Sequence, residues 1–145
     1  MAVQYLWTAF DGPYHDELIT LRIEVFVREQ KVPFEEELDA LDLDANHLIA
    51  IGQGGVVGVL RVLKFADYMK IGRLAVKKPF RHKGIATKLM EVAMDFVEKQ
   101  GAKKIVLDSQ TTVIPFYERL GFHRVGEEFM DAGIPHMKME KMLTD

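Results

Sequence analysis

Cysteine is absent from the 145 residues. That alone excludes a disulfide framework, a thiolate zinc site and a cysteine nucleophile, and it suits a reducing compartment. No stretch approaches the ~18 consecutive apolar residues that a membrane-spanning helix needs. The opening segment, Met1 to Tyr14, has no basic stretch followed by a long apolar one, as a secretory leader would. A cytoplasmic location is therefore expected, with no membrane association. Net charge is scarce too: 19 Lys and Arg stand against 22 Asp and Glu, giving −3. So even a balance gives no global reason to expect a nucleic-acid partner. What the chain does hold is apolar substance, 48% of its residues. A chain of this length buries roughly 70% of its unfolded surface, so residues 1–145 are expected to form a single domain with a real core.

The charges are segregated. Between Val32 and Leu60 there is no Lys or Arg, while Glu35, Glu36, Glu37, Asp39, Asp42 and Asp44 all fall there. From Tyr68 to Met90 the sign inverts: there is no acid, and Lys70, Arg73, Lys77, Lys78, Arg81, Lys83 and Lys88 crowd together. The basic stretch reads as an anion site or as a solvated loop; the acidic one attracts a cationic amine or is a solvated loop in turn.

Hydrophobic spacing orders the elements. Ala2 to Trp7 suits a first strand. Asp11 and Pro13 announce a helix on which Leu18, Leu21, Val25 and Phe26 recur at helical spacing, until Lys31-Val32-Pro33 ends it. The acidic segment has no clear period and reads as a loop with one short helix. His47–Ile51 and Val56–Leu63 are β-branched runs separated by Gly52-Gln53-Gly54-Gly55, a hairpin pattern. Ile71–Val76 predicts a further strand, closed by Pro79. From Ile85 the period becomes helical, with Leu89, Val92, Ala93 and Phe96 on one face and Gly101 just past the end. Ile105-Val106-Leu107 is a continuous apolar run of the kind found in buried parallel strands. A short helix ending at Gly121 and two closing strands, Phe122–Phe129 and His136–Met142, complete a mixed α/β domain.

Chemistry concentrates in the loop Pro79-Phe80-Arg81-His82-Lys83-Gly84-Ile85-Ala86, which leads from a strand straight into the long helix. Such a junction leaves backbone N–H groups unpaired at the positive end of the helix dipole, and Gly84 lets a ligand approach the backbone closely. A phosphate or pyrophosphate is the natural guest. A Walker loop is excluded by the missing Lys-Ser/Thr pair, and a dinucleotide fold by the missing G-x-G-x-x-G.

In context, Arg73-Leu74-Ala75-Val76, the loop Arg81-x-x-Gly84-x-Ala86, the amphipathic helix and Pro115-Phe116-Tyr117-Glu118-Arg119-Leu120-Gly121-Phe122 together resemble the GCN5-related N-acetyltransferase (GNAT) superfamily. Val25-Phe26-Val27-Arg28-Glu29-Gln30-Lys31-Val32-Pro33 and Gly133-Ile134-Pro135-His136 resemble its small bacterial ElaA/YjcF-like branch. The resemblance implies the GNAT fold, a mixed, mostly antiparallel sheet of six or seven strands with helices on both faces and one splayed parallel pair. It implies acetyl-CoA as cosubstrate, no metal, a small-molecule or peptide amine as acceptor, and a homodimer as a candidate assembly. It assigns coenzyme A binding to Leu74, Ala75 and Val76 on the strand. It adds Arg81, His82, Lys83, Gly84, Ile85, Ala86 and Thr87 at the loop and helix start, and Gln110 and Phe116 beyond the next strand. Three positions depart from the superfamily pattern: Lys70 stands where the histone-acetylating branch has its basic glutamate, Gln110 where an asparagine is common, and Val113 where a small residue is usual.

Transfer from a thioester to an amine needs a neutral nucleophile, donors for the oxyanion and a proton for the leaving thiolate. Tyr117 is the expected acid, because a phenol (pKa ~10) stays protonated at neutrality yet lies close to a thiol (~8.5); otherwise it is a core aromatic beside Phe116 and Phe122. Backbone N–H groups near Val76 are the oxyanion donors that the resemblance implies. For the base, Glu29, Asp108, Glu128 and His136 are all candidates. Glu128 and His136 lead, since the superfamily's terminal strand pair borders the acceptor. Two readings from other classes remain at this level: a non-catalytic acyl-CoA sensor, and a nucleotide-binding regulatory domain.

Overall fold

The computed structural model describes residues 2–143. Seven strands form one sheet in the order β1-β2-β3-β4-β5-β7-β6: β1 Gln4–Thr8, β2 Asn46–Gly52, β3 Gly55–Lys64, β4 Tyr68–Val76, β5 Lys104–Gln110, β6 His123–Asp131 and β7 Ile134–Met142. All neighbours are antiparallel except β4 and β5. The helices are α1 His15–Arg22, α2 Phe34–Glu37, α3 Ile85–Lys99 and α4 Ile114–Arg119. This is the α/β arrangement that the resemblance implied.

Each face of the sheet buries its own apolar stripe. On one side Ile85, Leu89, Met90, Ala93 and Val97 of α3 pack on Leu48, Leu60, Val62, Ile71 and Ile105. On the other, Leu18, Leu21 and Val25 close over Ile49, Val56, Val59 and Ala75. Fully burying one such side chain stabilises by about 1.5–3 kcal/mol. Gly58 fixes how closely α3 sits: a Cβ there would stand 3.0 Å from Leu89 Cδ1 and 3.2 Å from Ile85 Cγ2. Its absence lets the start of α3 rest against β3.

Two elements differ from the sequence reading. The first helix does not stay α: Ile23–Glu29 winds as a π-helix, because the apolar spacing of Val25 and Phe26 suits either period. Single π turns mark functional positions in many proteins; here the widened turn carries Gln30 to the cleft described below and Glu29 to Arg81. β4 begins at Tyr68, three residues before the apolar run that predicted it. The parallel ladder lies in that early part: Tyr68↔Lys104, Met69↔Ile105 and Lys70↔Val106 are the paired positions. Beyond Lys70 the two strands part.

Candidate active site

The divergence of β4 and β5 opens a cleft of about 650 Å³. Ile71, Leu74, Ala75 and Val76 line one wall, and Leu107, Asp108, Gln110, Phe116 and Tyr117 the other. The loop and helix start form one end through Arg81, His82, Gly84, Ile85, Ala86 and Thr87. His82 and Gly84 both take left-handed backbone, φ 63° and 85°. Among the described residues no carbonyl or side chain accepts from the amides of 82–87, the first inward bond being Lys88 N–H to the Gly84 carbonyl. Free N–H groups on a turn of alternating handedness, at a helix start, make a concave anion site. The space in front of Gly84 is open: a Cβ there would meet nothing within 4 Å.

Arg81 has a different task from that of a free cation. Its Nε donates to the Val76 carbonyl at 2.8 Å, and Nη1 and Nη2 both donate to Glu29 at 2.6 Å. The hydrogen bond from Arg81 holds the Glu29 carboxyl below the usual range. Arg81 thus straps the π-helical turn to the loop and the end of β4. Lys83 is exposed and does not line the cleft.

Tyr117 lies in the cleft, edge-on to Phe116 (ring centroids 5.0 Å apart) and to Phe122 (6.2 Å). Burial pushes its phenol up to about 12, so it stays protonated far above neutrality. Of the base candidates, Glu29 is bound by Arg81 and Asp108 pairs with Lys70 at 2.9 Å. Glu128 is exposed and does not line the cleft. The cause is a wide bulge in β6, where the register passes from Val125↔Lys138 to Phe129↔His136 and leaves Gly126, Glu127 and Glu128 opposite Met137 alone. His136 does reach the cleft. Its Nδ1 lies 2.7 Å from the Ile134 carbonyl; a carbonyl only accepts, so Nδ1 carries the proton and Nε2 of the neutral ring is left as the acceptor. Gln110 donates to Gln30 Oε1 at 2.7 Å, closing the cleft beneath the π-helical turn.

The acidic segment is solvated only in part, and of its acids the exposed Glu36 borders the cleft. Three of its acids are consumed inside the protein. Arg22, 1% exposed, bonds Glu37 Oε2 at 2.7 Å and Asp42 Oδ1 at 2.8 Å. Arg61 forks onto Asp39 and reaches Asp42 at 2.9 Å. His47 Nε2 donates to the Asp42 carbonyl at 2.9 Å. Burial lifts the Glu37 carboxyl above the ordinary range, against the pull of Arg73 and Arg22. Burial acts the same way on Asp42, but there the hydrogen bonds and charge of Arg22 and Arg61 outweigh it and the carboxyl ends low. Glu35, Glu36 and Asp44 stay exposed.

Sequence reading placed Arg73 among the clustered cations and at the head of the Arg73-Leu74-Ala75-Val76 motif, with no role of its own. It sits in a β-bulge: the β3–β4 register passes from Val59↔Ala75 to Arg61↔Gly72, leaving Arg73 and Leu74 opposite Leu60. Its φ is +55°, a conformation that costs a residue with a Cβ on the order of 1 kcal/mol or more. Nothing in an arginine codon position announces a positive φ, so no sequence signal could have found it.

Comparison with known proteins now bears on the cleft. The family model described as "Acetyltransferase (GNAT) domain" matches residues 12–143. The chain belongs to the GNAT acetyltransferase family. Within it, the Bacillus subtilis protein described as uncharacterized N-acetyltransferase YjcF is 38% identical over 122 residues, 83% of this chain and 87% of that one. Two solved structures share the GNAT fold closely. An acyl-CoA N-acyltransferase from Pseudomonas aeruginosa has a TM-score of 0.86 at 32% identity, covering 97% of this chain and 99% of that one. Escherichia coli ElaA also scores 0.86, at 26% identity with the same coverage. The ElaA/YjcF-like branch is therefore the right place within the GNAT family. Among the described residues no group of three or more His, Asp or Glu is placed to hold a metal ion, and no helix is long and apolar enough to cross a membrane.

Proposed function

We propose that this GNAT protein moves an acetyl group from acetyl-CoA to a primary amine. The observation that carries the reading is one cleft, between parted parallel strands, with a row of free amides at one end and a protonated phenol in its wall. The amides of His82–Thr87 receive the pyrophosphate, and Leu74 to Val76 border the pantetheine arm, with Phe116 and Gln110 opposite. Lys83 contributes long-range charge only.

The chemistry then follows from the groups present. The amine nitrogen attacks the thioester carbonyl while backbone N–H groups of β4 stabilise the oxyanion. His136 Nε2 takes the proton released from nitrogen, the C–S bond breaks, and Tyr117 gives its proton to the departing sulfur. His136 releases its proton to solvent and Tyr117 takes one up, so both groups are restored and one proton passes in net from amine to thiol. Glu128 has no place in this scheme. A cytoplasmic site of action belongs to the same reading, on the cysteine-free composition.

A thiol-release assay with acetyl-CoA and a panel of small amines and peptides tests it. Amine-dependent release of coenzyme A is the expected result. Tight acetyl-CoA binding without release on any amine would favour the non-catalytic sensor.

A further inference from the structure

A left-handed position inside a strand favours glycine, which has no Cβ to strain. β4 places an arginine there, although Gly72 stands immediately before it. The guanidinium explains the choice. Arg73 Nη2 donates to the Glu37 carbonyl at 3.1 Å, and lies 3.3 Å from both the Glu36 carbonyl and Asp39 Oδ2. Its Nε stands 3.1 Å from Glu37 Oε2, without hydrogen-bond geometry. These partners are rigid, because Arg22 holds Glu37 through both side chain and carbonyl and Arg61 holds Asp39 with two bonds. One end of Arg73 is therefore a strained peptide on the cleft wall. The other end is fixed in a buried ionic lattice.

We propose that Arg73 is a positioning residue for acyl transfer: anchored by Glu37, Asp39 and the α2 carbonyls, it keeps the β4 bulge in the left-handed form that turns backbone amides toward the thioester carbonyl. The inference rests on the acetyl-transfer reading above and extends it to the source of the oxyanion donors' geometry. Arg73 also lines the cleft, but the role assigned to it runs through the backbone. Strain at a functional site persists only where the surroundings over-determine it, and here the surroundings are named.

The test separates the backbone role from a role of charge. Amide NMR spectra of wild type, Arg73→Ala and Arg73→Gly are recorded on titration with coenzyme A and with acetyl-CoA. In wild type, acetyl-CoA is expected to shift the Leu74 and Ala75 amides further than coenzyme A does. Arg73→Ala erases that difference, while coenzyme A affinity stays within about twofold, because the guanidinium bonds α2 and Asp39 and shares no partner with the loop. Arg73→Gly, which lacks the side chain but accepts a positive φ, recovers part of it. Should Arg73→Ala fail to fold, Asp39→Asn is read in its place and must shrink the same difference.

A retained wild-type difference in Arg73→Ala, or identical behaviour of the Ala and Gly variants, overturns the positioning role while leaving the acetyl-transfer reading intact. Failure of wild type to bind coenzyme A at all overturns that reading, and this role with it.

Discussion

The two ends of the cleft are made of different material. The loop end, to which the proposed function gives the coenzyme, is backbone: unpaired amides of residues 82–87 and a glycine at φ 85°. The opposite end is side chain, with Lys70 against Asp108, Gln110 against Gln30, and Arg73 against Glu37 and Asp39. A backbone site recognises what every acyl-CoA shares, because N–H groups and a helix dipole read only negative charge and shape. A side-chain site can vary without disturbing it. On the proposed function, the loop end holds what every acyl-CoA shares and the side-chain end holds what distinguishes the acceptor.

If the ends are independent, each can be broken alone. The largest effect is expected at the backbone end. Gly84→Glu adds a strained side chain to a left-handed position and a negative charge where the diphosphate sits, so calorimetry should detect no acetyl-CoA binding by the folded variant. Nearly as large, but in stability, is Asp42→Ala. It leaves Arg22 and Arg61 each one buried carboxylate short and opens a gap between them, and should destabilise by up to about 3–5 kcal/mol in urea denaturation. Its coenzyme A affinity should be unchanged wherever it remains folded; a parallel loss of affinity would show that the ends are coupled.

A smaller effect, confined to chemistry, is expected from Tyr117→Phe. Turnover should fall about 10²-fold with little change in KM, the pattern for a group used chiefly in the transition state. Because burial raises this phenol to about 12, wild-type turnover should show no tyrosine-dependent decline near pH ~10, where a free phenol would ionise.

The acid lattice adds a pH dependence of modest size. Burial keeps His47 below its ordinary value of 6.5, so the unfolded chain binds the proton more readily. Stability contributed by neutral His47 is present above that value and is lost as pH falls through the lower folded value. Glu37, raised by burial, pulls the other way. The measurement is accordingly the difference between wild type and His47→Gln in urea midpoint from pH 7 to pH 5; wild type should lose more than the variant. Asp39 and Asp42, held low by their arginines despite burial, add a further loss only below about 3.8. Smallest of all is the exposed cation: Lys83→Gln should weaken coenzyme A binding by less than about tenfold at low salt, and the loss should fade as ionic strength rises.

These regions also differ in how far the sequence reveals them. The strand, loop and helix start at one end of the cleft were legible because their determinants are local: a loop of fixed spacing around Gly84 and the strongest amphipathic period in the chain beginning at Ile85. α3, the hairpin at Gly54 and the closing strand pair were legible for the same reason. The acceptor end depends on partners far apart in sequence, such as Arg73 with Glu37, 36 residues away, and Arg61 with Asp39, 22 away. Read alone, those acids look like a solvated run. Glu128 was misplaced because the β6 bulge shifts register by residues that themselves look like ordinary strand. The π turn was missed because Val25 and Phe26 satisfy either helical period.

The central claim is that the cleft is built for an acyl-coenzyme A, and calorimetric titration of the wild-type chain with acetyl-CoA, coenzyme A and ATP tests it most directly. Saturable one-to-one binding of acetyl-CoA and coenzyme A, with ATP much weaker, is the predicted result. ATP binding as well as acetyl-CoA, or no acetyl-CoA binding at all, would contradict the account.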